Sequence, residues 1–312
     1  MLKALLIASR PKTLALALAG PIVAAAMASI IFHWDKAIFL WHMVTTIFLQ
    51  VLSNYANDYG DFVKGTDQKA QRKDRALTAG IISKGAMKNA VIVTAILAFI
   101  SGIILLNQSF SSSKLVYFIG FLSLGFAAIA AAIKYTVGKS AYGYRSLGDL
   151  VVFVFFGPIA IAGGYYLHTH SLGLEIVLVS VAFGLLSVAV LNINNIRDIQ
   201  SDIKSNKRTL ANYLGKEKAI TYQRALLVTA WLLNVYALIV RQLAIWGEET
   251  PGFETIAPLT IVFLPFLVAF LLHCSRLKTI ESRNDYNKQL RNIALLTLAF
   301  SLAWALVSSI LF

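Results

Sequence analysis

The chain has 312 residues, of which 58% are hydrophobic and 14% are charged, and its mean hydropathy is +0.70. A soluble domain carries roughly 25% charged residues, so the composition excludes an ordinary soluble protein and indicates a polytopic membrane protein. The net charge of +13 would suggest nucleic acid as a partner of a soluble chain. Here we expect no nucleic acid, because the basic residues follow the membrane topology. The single cysteine, Cys274, excludes an internal disulfide and a Cys-rich metal site.

Apolar stretches long enough to cross a hydrocarbon core of roughly 30 Å recur along the chain. We predict nine spans, over residues 14–32, 37–55, 89–106, 115–133, 150–167, 176–191, 225–240, 256–274 and 293–311. With a cytoplasmic N-terminus, all of the 28 Lys and Arg residues except Lys36, Lys114 and Arg241 fall in cytoplasmic segments. This bias predicts an N-in, C-out orientation. The fold class is therefore all-α, with residues 1–312 in a single transmembrane domain.

A polar segment, NYANDYGDFVKGTD at residues 54–67, follows the second span. Its polar residues recur every three or four positions, which places them on one face of a helix. They are Gln50, Asn54, Asn57 and Asp61, with Asp58 beside this stripe and Asp67 after it. A similar cluster ends the sixth span and contains Asn194, Asn195, Asp198 and Asp202. Because both spans finish on the cytoplasmic side, the two clusters are predicted to form one site.

The two clusters lie at helix C-termini, where the backbone already carries partial negative charge and further carboxylates are disfavoured. Cations must compensate this charge. Ligand sets made only of oxygen indicate a hard ion, and Mg²⁺ is the natural choice because it keeps water ligands and accepts phosphate oxygens. A concentration of carboxylates in a membrane protein also predicts a functional site. Wet helix ends are the alternative explanation for any one of these aspartates.

Basic residues follow each acidic cluster and match an anionic substrate. They are Arg72, Lys73 and Arg75 after the first cluster, and Lys204, Lys207 and Arg208 after the second. Arginine binds diphosphate in a bidentate manner, and Arg75 and Arg208 occupy similar places behind their clusters. The positive-inside bias alone is the alternative explanation for most of these lysines. A substrate with a diphosphate head at the membrane surface and a long apolar tail would fit such a bundle.

Several motifs together resemble the UbiA superfamily of intramembrane prenyltransferases. They are RPKTL at 10–14, NDYGDFVKGTD at 57–67, LGDL at 147–150, FFGP at 155–158 and NNIRDIQSD at 194–202. The resemblance covers essentially the whole chain and implies a bundle of nine helices. Many members carry an Asp eight residues after the motif Asn, whereas this chain has Gly65 there and Asp67 two positions later. This spacing resembles the branch of the superfamily that uses 1,4-dihydroxy-2-naphthoate.

The resemblance also implies a reaction and the residues that perform it. A polyprenyl diphosphate would prenylate 1,4-dihydroxy-2-naphthoate with decarboxylation, giving demethylmenaquinone for menaquinone biosynthesis at the cytoplasmic face of the inner (plasma) membrane, in contact with membrane lipid. Two Mg²⁺ ions would bridge the diphosphate. The implied metal ligands are Asn57, Asp58, Asp61, Asp67, Asp198 and Asp202, of which Asp61 and Asp198 are the predicted catalytic residues. The implied substrate-binding residues are Lys73, Arg75, Tyr135, Lys139, Lys204, Lys207 and Arg208.

Three alternatives stay open at this stage. Another aromatic acceptor, such as 4-hydroxybenzoate or homogentisate, is the first, although the spacing of Gly65 and Asp67 argues against it. A cation-coupled transporter would also place acids at helix ends, although it predicts acids nearer the midplane and broken helices. Tyr135 and Lys139 could be an interfacial aromatic anchor and a snorkelling lysine instead of ligands for diphosphate.

Overall fold

The protein is described by a computed structural model covering residues 1–31, 33–69, 72, 75–110, 114–246 and 260–310. Because backbone polar groups in lipid must be satisfied within the chain, an apolar sequence of this kind folds into helices. The helices are α1 (Leu2–Ala8), α2 (Pro11–Ser29), α3 (Lys36–Val63), α4 (Thr66–Lys69), α5 (Lys84–Ser109), α6 (Leu115–Lys134), α7 (Gly148–Val154), α8 (Gly164–Thr169), α9 (Leu174–Lys204), α10 (Leu210–Trp246), α11 (Leu264–Thr279) and α12 (Arg283–Ile310). A 3₁₀ turn (Tyr142–Tyr144) precedes α7, and a π-helix (Phe155–Gly163) joins α7 to α8. The predicted all-α fold class is confirmed.

Eight helical segments in the described ranges are long and apolar enough to cross a membrane. One of them is the continuous run Gly148–Thr169, which joins α7, the π-helix and α8. The predicted span at 256–274 corresponds to the 16-residue helix α11, and residues 247–259 lie outside the described ranges. The total of nine spans and the N-in orientation therefore stay predictions.

Both acidic clusters lie inside helices that continue beyond the predicted spans. Hydropathy falls after residues 55 and 191, but α3 runs to Val63 and α9 runs to Lys204. The N-terminus of α3 is capped by Asp35, whose Oδ1 accepts from the Ile38 N–H at 2.8 Å. The acidic residues of each cluster, except Asp67 on the short helix α4, are thus held on the last turns of a long helix.

Buried apolar residues of the described helices form three clusters with a cavity among them, and the smallest joins the start of α3, the end of α5 and α8. The largest hydrophobic core joins α2, α9, α10, α11 and α12, and a second core joins α1, α3 and the start of α5. The π-helix and α9 approach so closely that a Cβ built on Gly157 would lie 2.8 Å from the Cα of Gly184. Small residues of this kind let helix backbones touch within a membrane. This contact fixes α9, which carries the second acidic cluster, against the cavity wall.

Candidate active site

A small polar cavity of about 70 Å³ lies where the ends of α3 and α9 meet. Its wall carries side chains of both charges, so it can hold an anion and a cation together. The lining residues are Arg10, Asn57, Asp61, Thr66, Asp67, Arg72, Arg75, Tyr135, Leu191, Asn194, Asn195, Arg197, Asp198, Ser201, Asp202 and Lys207. The two acidic clusters, whose corresponding residues Asp61 and Asp198 are 137 positions apart, therefore line one cavity.

Asp61 and Asp67 lie on the first side of the cavity and share one arginine. The Arg75 Nη2 is 4.0 Å from the Asp61 Oδ2, and the Arg75 Nε is 3.8 Å from the Asp67 Oδ2. All three side chains are buried. Burial, together with the neighbouring Asp61, raises the pKa of Asp67 to about 7. The Asp67 Oδ2 is buried without a hydrogen-bond partner, so this carboxylate keeps acceptor capacity.

Asp198 lies on the second side and is surrounded by guanidinium groups. Arg197 contacts it in a bidentate manner, at 3.0 Å from Nε to Oδ1 and 2.6 Å from Nη2 to Oδ2. The Arg72 Nη1 lies 3.2 Å from Oδ2, and the Arg283 Nη2 lies 3.0 Å from Oδ1. Because Arg72 follows α3 in sequence, its contact with Asp198 joins the two halves of the site.

Asp202 lies one helical turn beyond Asp198 and pairs with Lys207. The Lys207 Nζ is 3.6 Å from the Asp202 Oδ2, an oxygen that is buried without a hydrogen-bond partner. Burial alone lowers the pKa of Lys207, but the carboxylates of Asp202 and Asp61 outweigh it and raise the pKa above its usual value. Lys207 therefore stays charged in the wall of the cavity and can bind an anion.

A larger, mostly apolar cavity of about 300 Å³ adjoins the polar one. The two cavities share five lining residues: Arg10, Asn57, Tyr135, Leu191 and Asn194. Asn57 and His42, both on α3, line the larger cavity, so it extends roughly 22 Å along that helix at 1.5 Å per residue. Aromatic and aliphatic side chains of α5, α6 and the π-helix form much of its wall. A molecule with a charged head and an apolar tail fits the two cavities together.

Eight of the predicted site residues line the polar cavity: Asn57, Asp61, Asp67, Arg75, Tyr135, Asp198, Asp202 and Lys207. Asp58 is buried beside it and accepts hydrogen bonds from the backbone of Ala76 and Leu77. Three further predicted residues, Lys139, Lys204 and Arg208, are exposed and lie outside this lining. Lys73 lies outside the described residues.

Sequence reasoning missed two basic residues of the site, Arg10 and Arg197. Arg10 lines both cavities, and its Nη2 is buried without a hydrogen-bond partner. Its backbone adopts a left-handed conformation, with φ of 49°, which is uncommon for a residue other than glycine. The RPKTL motif contained Arg10, and the NNIRDIQSD motif contained Arg197, so each had a signal. The sequence predicts no role for either residue, because Arg10 precedes one apolar span and Arg197 follows another, and a basic residue at such a position is explained by the membrane boundary.

The donor set of the polar cavity fits Mg²⁺. Its carboxylate and amide groups are hard oxygen ligands, and the Oδ2 atoms of Asp67 and Asp202 are buried without a hydrogen-bond partner. Within the described part of the chain, no group of three or more Asp, Glu, His or Cys side chains is close enough to form a metal cage. Mg²⁺ binds through one or two carboxylates, water and substrate phosphates, so this open arrangement suits it.

The fold and the site define a class of multi-pass membrane protein that joins a polar cavity of mixed charge to an apolar one. The family model of the UbiA prenyltransferase family matches residues 13–296. The chain belongs to the UbiA prenyltransferase family, and the predicted family is confirmed.

Named relatives support this assignment, and a solved structure shows the same fold. The chain is 44% identical to the 1,4-dihydroxy-2-naphthoate octaprenyltransferase of Escherichia coli (strain K12), over 76% of this chain and 77% of that protein. It is 42% identical to the protein of the same name from Haemophilus influenzae, over 72% and 73% of the two chains. The structure of a UbiA homolog from Archaeoglobus fulgidus bound to GPP and Mg²⁺ has the same fold, with a TM-score of 0.65, 13% identity and coverage of 98% and 99%.

Proposed function

We propose that this protein transfers a polyprenyl chain from an allylic polyprenyl diphosphate to 1,4-dihydroxy-2-naphthoate. The ring loses its carboxylate as CO₂, and the product is the quinol form of demethylmenaquinone, an intermediate of menaquinone biosynthesis. The observation that carries the proposal is the junction of the two cavities, where five residues line both the polar and the apolar space. The naphthoate acceptor is supported by the names of the relatives with 44% and 42% identity.

The polar cavity would bind the diphosphate and its metal ions. Cationic side chains of Arg10, Arg72, Arg75, Arg197 and Lys207 line this cavity and can donate to phosphate oxygens. We propose that two Mg²⁺ ions are held by Asn57, Asp61, Asp67, Asp198 and Asp202, with Asp58 as a further candidate. Bound Mg²⁺ would neutralise the negative charge that develops on the leaving diphosphate. The guanidinium groups would stabilise the same charge and hold the diphosphate in place.

The apolar cavity would bind the polyprenyl tail and keep water away from the reacting carbon. Breaking the bond between C1 and the diphosphate oxygen produces an allylic cation, which water would quench. Aromatic faces at the junction, such as that of Tyr135, can stabilise such a cation. The naphthoate ring then forms a carbon–carbon bond to C1. Burial raises the pKa of Tyr135 to about 12, so its hydroxyl stays protonated and can donate to an anionic substrate.

We infer that the protein lies in the inner (plasma) membrane with its active site towards the cytoplasm. The distribution of Lys and Arg supports this orientation, because the ends of α3 and α9, where the site lies, belong to the basic face. A polyprenyl diphosphate with its head at that face would keep its tail among lipids, and a soluble naphthoate would reach the junction from the cytoplasm.

Reconstitution tests the reaction. Purified protein in lipid, supplied with Mg²⁺, a polyprenyl diphosphate and 1,4-dihydroxy-2-naphthoate, is expected to release prenylated naphthoquinol, CO₂ and diphosphate. EDTA should stop turnover, and added Mg²⁺ should restore it. Absence of product, or product that forms equally well with EDTA, would refute the proposal. Replacing the naphthoate with 4-hydroxybenzoate or homogentisate tests the other acceptors.

Single variants test the assigned carboxylates. We expect Asp61→Ala and Asp198→Ala each to abolish measurable turnover, because each removes a buried carboxylate from the polar cavity. Asp285→Asn is the matched control, since Asp285 lies outside that cavity and pairs with Lys288 at the surface. Wild-type rates in Asp61→Ala or Asp198→Ala would remove that residue from the site, provided that the variant elutes as the folded protein in detergent.

A further inference from the structure

The hydroxyl of Tyr144 connects two residues of the first acidic segment. It lies 2.8 Å from the Asp61 Oδ1 and 2.7 Å from the Thr66 Oγ1. An ionised carboxylate only accepts hydrogen bonds, so the phenol donates its one proton to Asp61. The Thr66 hydroxyl then donates to the phenol oxygen. The direction of both hydrogen bonds is therefore fixed.

The ring and backbone of Tyr144 also bind the segments that follow α3 and α9. The Lys64 Nζ lies 3.9 Å from the ring centroid, and the Lys207 Nζ lies 5.8 Å from it, both within cation–π range. The Tyr144 carbonyl accepts from the Arg208 N–H at 3.3 Å. One tyrosine thus contacts the polar ends of both helices that carry the acidic clusters.

The two oxygens of Asp61 have different surroundings. Oδ1 accepts from Tyr144, whereas Oδ2 lies 4.0 Å from the Arg75 Nη2, beyond hydrogen-bond distance. A carboxylate held at one oxygen cannot rotate freely, and groups that orient a metal ligand in this way strengthen metal binding.

We propose that Tyr144 is a positioning residue that fixes the Asp61 carboxylate through Oδ1 and so presents Oδ2 to the divalent cation. The inference rests on the proposed function, in which Asp61 is a metal ligand. Tyr144 would act through Asp61 and would not itself contact the cation. The Thr66 hydroxyl would support it by orienting the phenol.

Tyr144→Phe isolates the hydroxyl, because the ring and both cation–π contacts are kept. Loss of a hydrogen bond to a metal ligand typically weakens metal affinity by about 10- to 100-fold. We expect the Mg²⁺ concentration for half-maximal turnover to rise by about that factor, while kcat at saturating Mg²⁺ stays within about threefold. A residue needed only for packing would lower kcat or stability without this shift in Mg²⁺ dependence.

Binding of Mn²⁺ provides a readout that is independent of turnover. The full-length protein, loaded with geranyl thiodiphosphate as an unreactive analogue, is titrated with Mn²⁺ while EPR follows the free ion. We expect Tyr144→Phe to weaken Mn²⁺ binding by about 10- to 100-fold. Thr66→Val removes only the hydroxyl that donates to the phenol and should weaken Mn²⁺ binding by about fivefold. This second variant allows the same test if Tyr144→Phe does not fold.

The controls separate this inference from the proposed function. Tyr142→Phe removes a phenol of the same 3₁₀ turn whose hydroxyl donates to the Ala131 carbonyl at 2.8 Å, and it should leave Mn²⁺ affinity unchanged. No Mn²⁺ binding by the wild type, or unchanged binding in Asp61→Asn, would overturn the proposed metal site. Weaker binding in Asp61→Asn with wild-type binding in both Tyr144→Phe and Thr66→Val would overturn only the role of Tyr144. Equal weakening in Tyr142→Phe would also overturn it.

Discussion

At the scale of single residues, Arg10 is the side chain whose position adds most to what the sequence predicts. It lies at the junction of the two cavities, in a left-handed backbone conformation, with a buried and unpartnered Nη2. A buried polar atom without a partner costs free energy, and backbone strain of this kind concentrates at functional sites. An anionic substrate would satisfy the unpartnered Nη2. Arg10 is therefore the natural residue to test for substrate binding.

We expect Arg10→Gln to lower kcat/KM for the polyprenyl diphosphate by about 10- to 100-fold, since a hydrogen bond to a charged group is worth about 1.5–3 kcal/mol. Steady-state kinetics on reconstituted protein measures this change. Lys12→Gln is the control, because Lys12 is an exposed cation two residues away. If kcat/KM falls by the same small factor in both variants, Arg10 does not bind the substrate. It then acts only as one of the positive charges at the membrane boundary.

The acidic residues were predictable and the basic ones were only partly so, for a physical reason. Asn57 and Asp61 lie on a helix, where the spacing of residues alone determines which face they share. Basic residues in the following segments have no such periodicity, because loop folding decides where each side chain points. Arg75 is buried in the site, whereas Arg208 is exposed and uses its backbone to bind residues 144 and 146. The sequence could not separate these two cases.

At the scale of helices, the main difference from prediction is the length of α3 and α9. A hydropathy pattern shows where a run of apolar residues ends. A helix can continue beyond that point as long as its backbone N–H and C=O groups are hydrogen-bonded and its polar side chains have partners. The acidic side chains on the last turns of both helices are buried because they pair with basic residues of the segments that follow, as Asp198 of α9 does with Arg72. That pairing involves residues far apart in sequence, which no local pattern records.

Close packing of α9 against α7 yields a stability prediction. A Cβ built on Gly184 would lie 2.8 Å from the Phe153 Cδ2 and 2.9 Å from the Phe153 carbonyl oxygen. Overpacking of this kind costs about 1–3 kcal/mol, so Gly184→Ala should lower the free energy of unfolding by that amount. Thermal unfolding in detergent measures it. Gly120→Ala is the matched control, because Gly120 on α6 has open space around it. Equal stability of both variants would contradict the contact.

At the scale of the whole molecule, the sequence predicted that two polar clusters share a membrane face, and the structure brings them into one cavity. The apolar cavity beside it was not predictable in shape. The wall of this cavity is formed by residues of α2, α3, α5, α6, α7, the π-helix, α8 and α9. These residues are mostly apolar, as are the residues that face lipid. In a membrane protein, apolar character does not distinguish a cavity wall from an outer surface, so only the packing of helices reveals it.

The orientation of the molecule determines which compartment supplies the acceptor, and labelling of single cysteines tests it. In a Cys274→Ser background, Lys36→Cys and Lys84→Cys place exposed thiols at the opposite ends of the bundle, at the start of α3 and the start of α5. The positive-inside bias predicts that Lys36 is outside and Lys84 is inside. The reagent is a maleimide that cannot cross the inner membrane, used on cells whose outer membrane, if they have one, is permeable to it. It should therefore label Lys36→Cys and not Lys84→Cys. Lysed cells should label both, and the reverse pattern in intact cells would place the active site on the outer face.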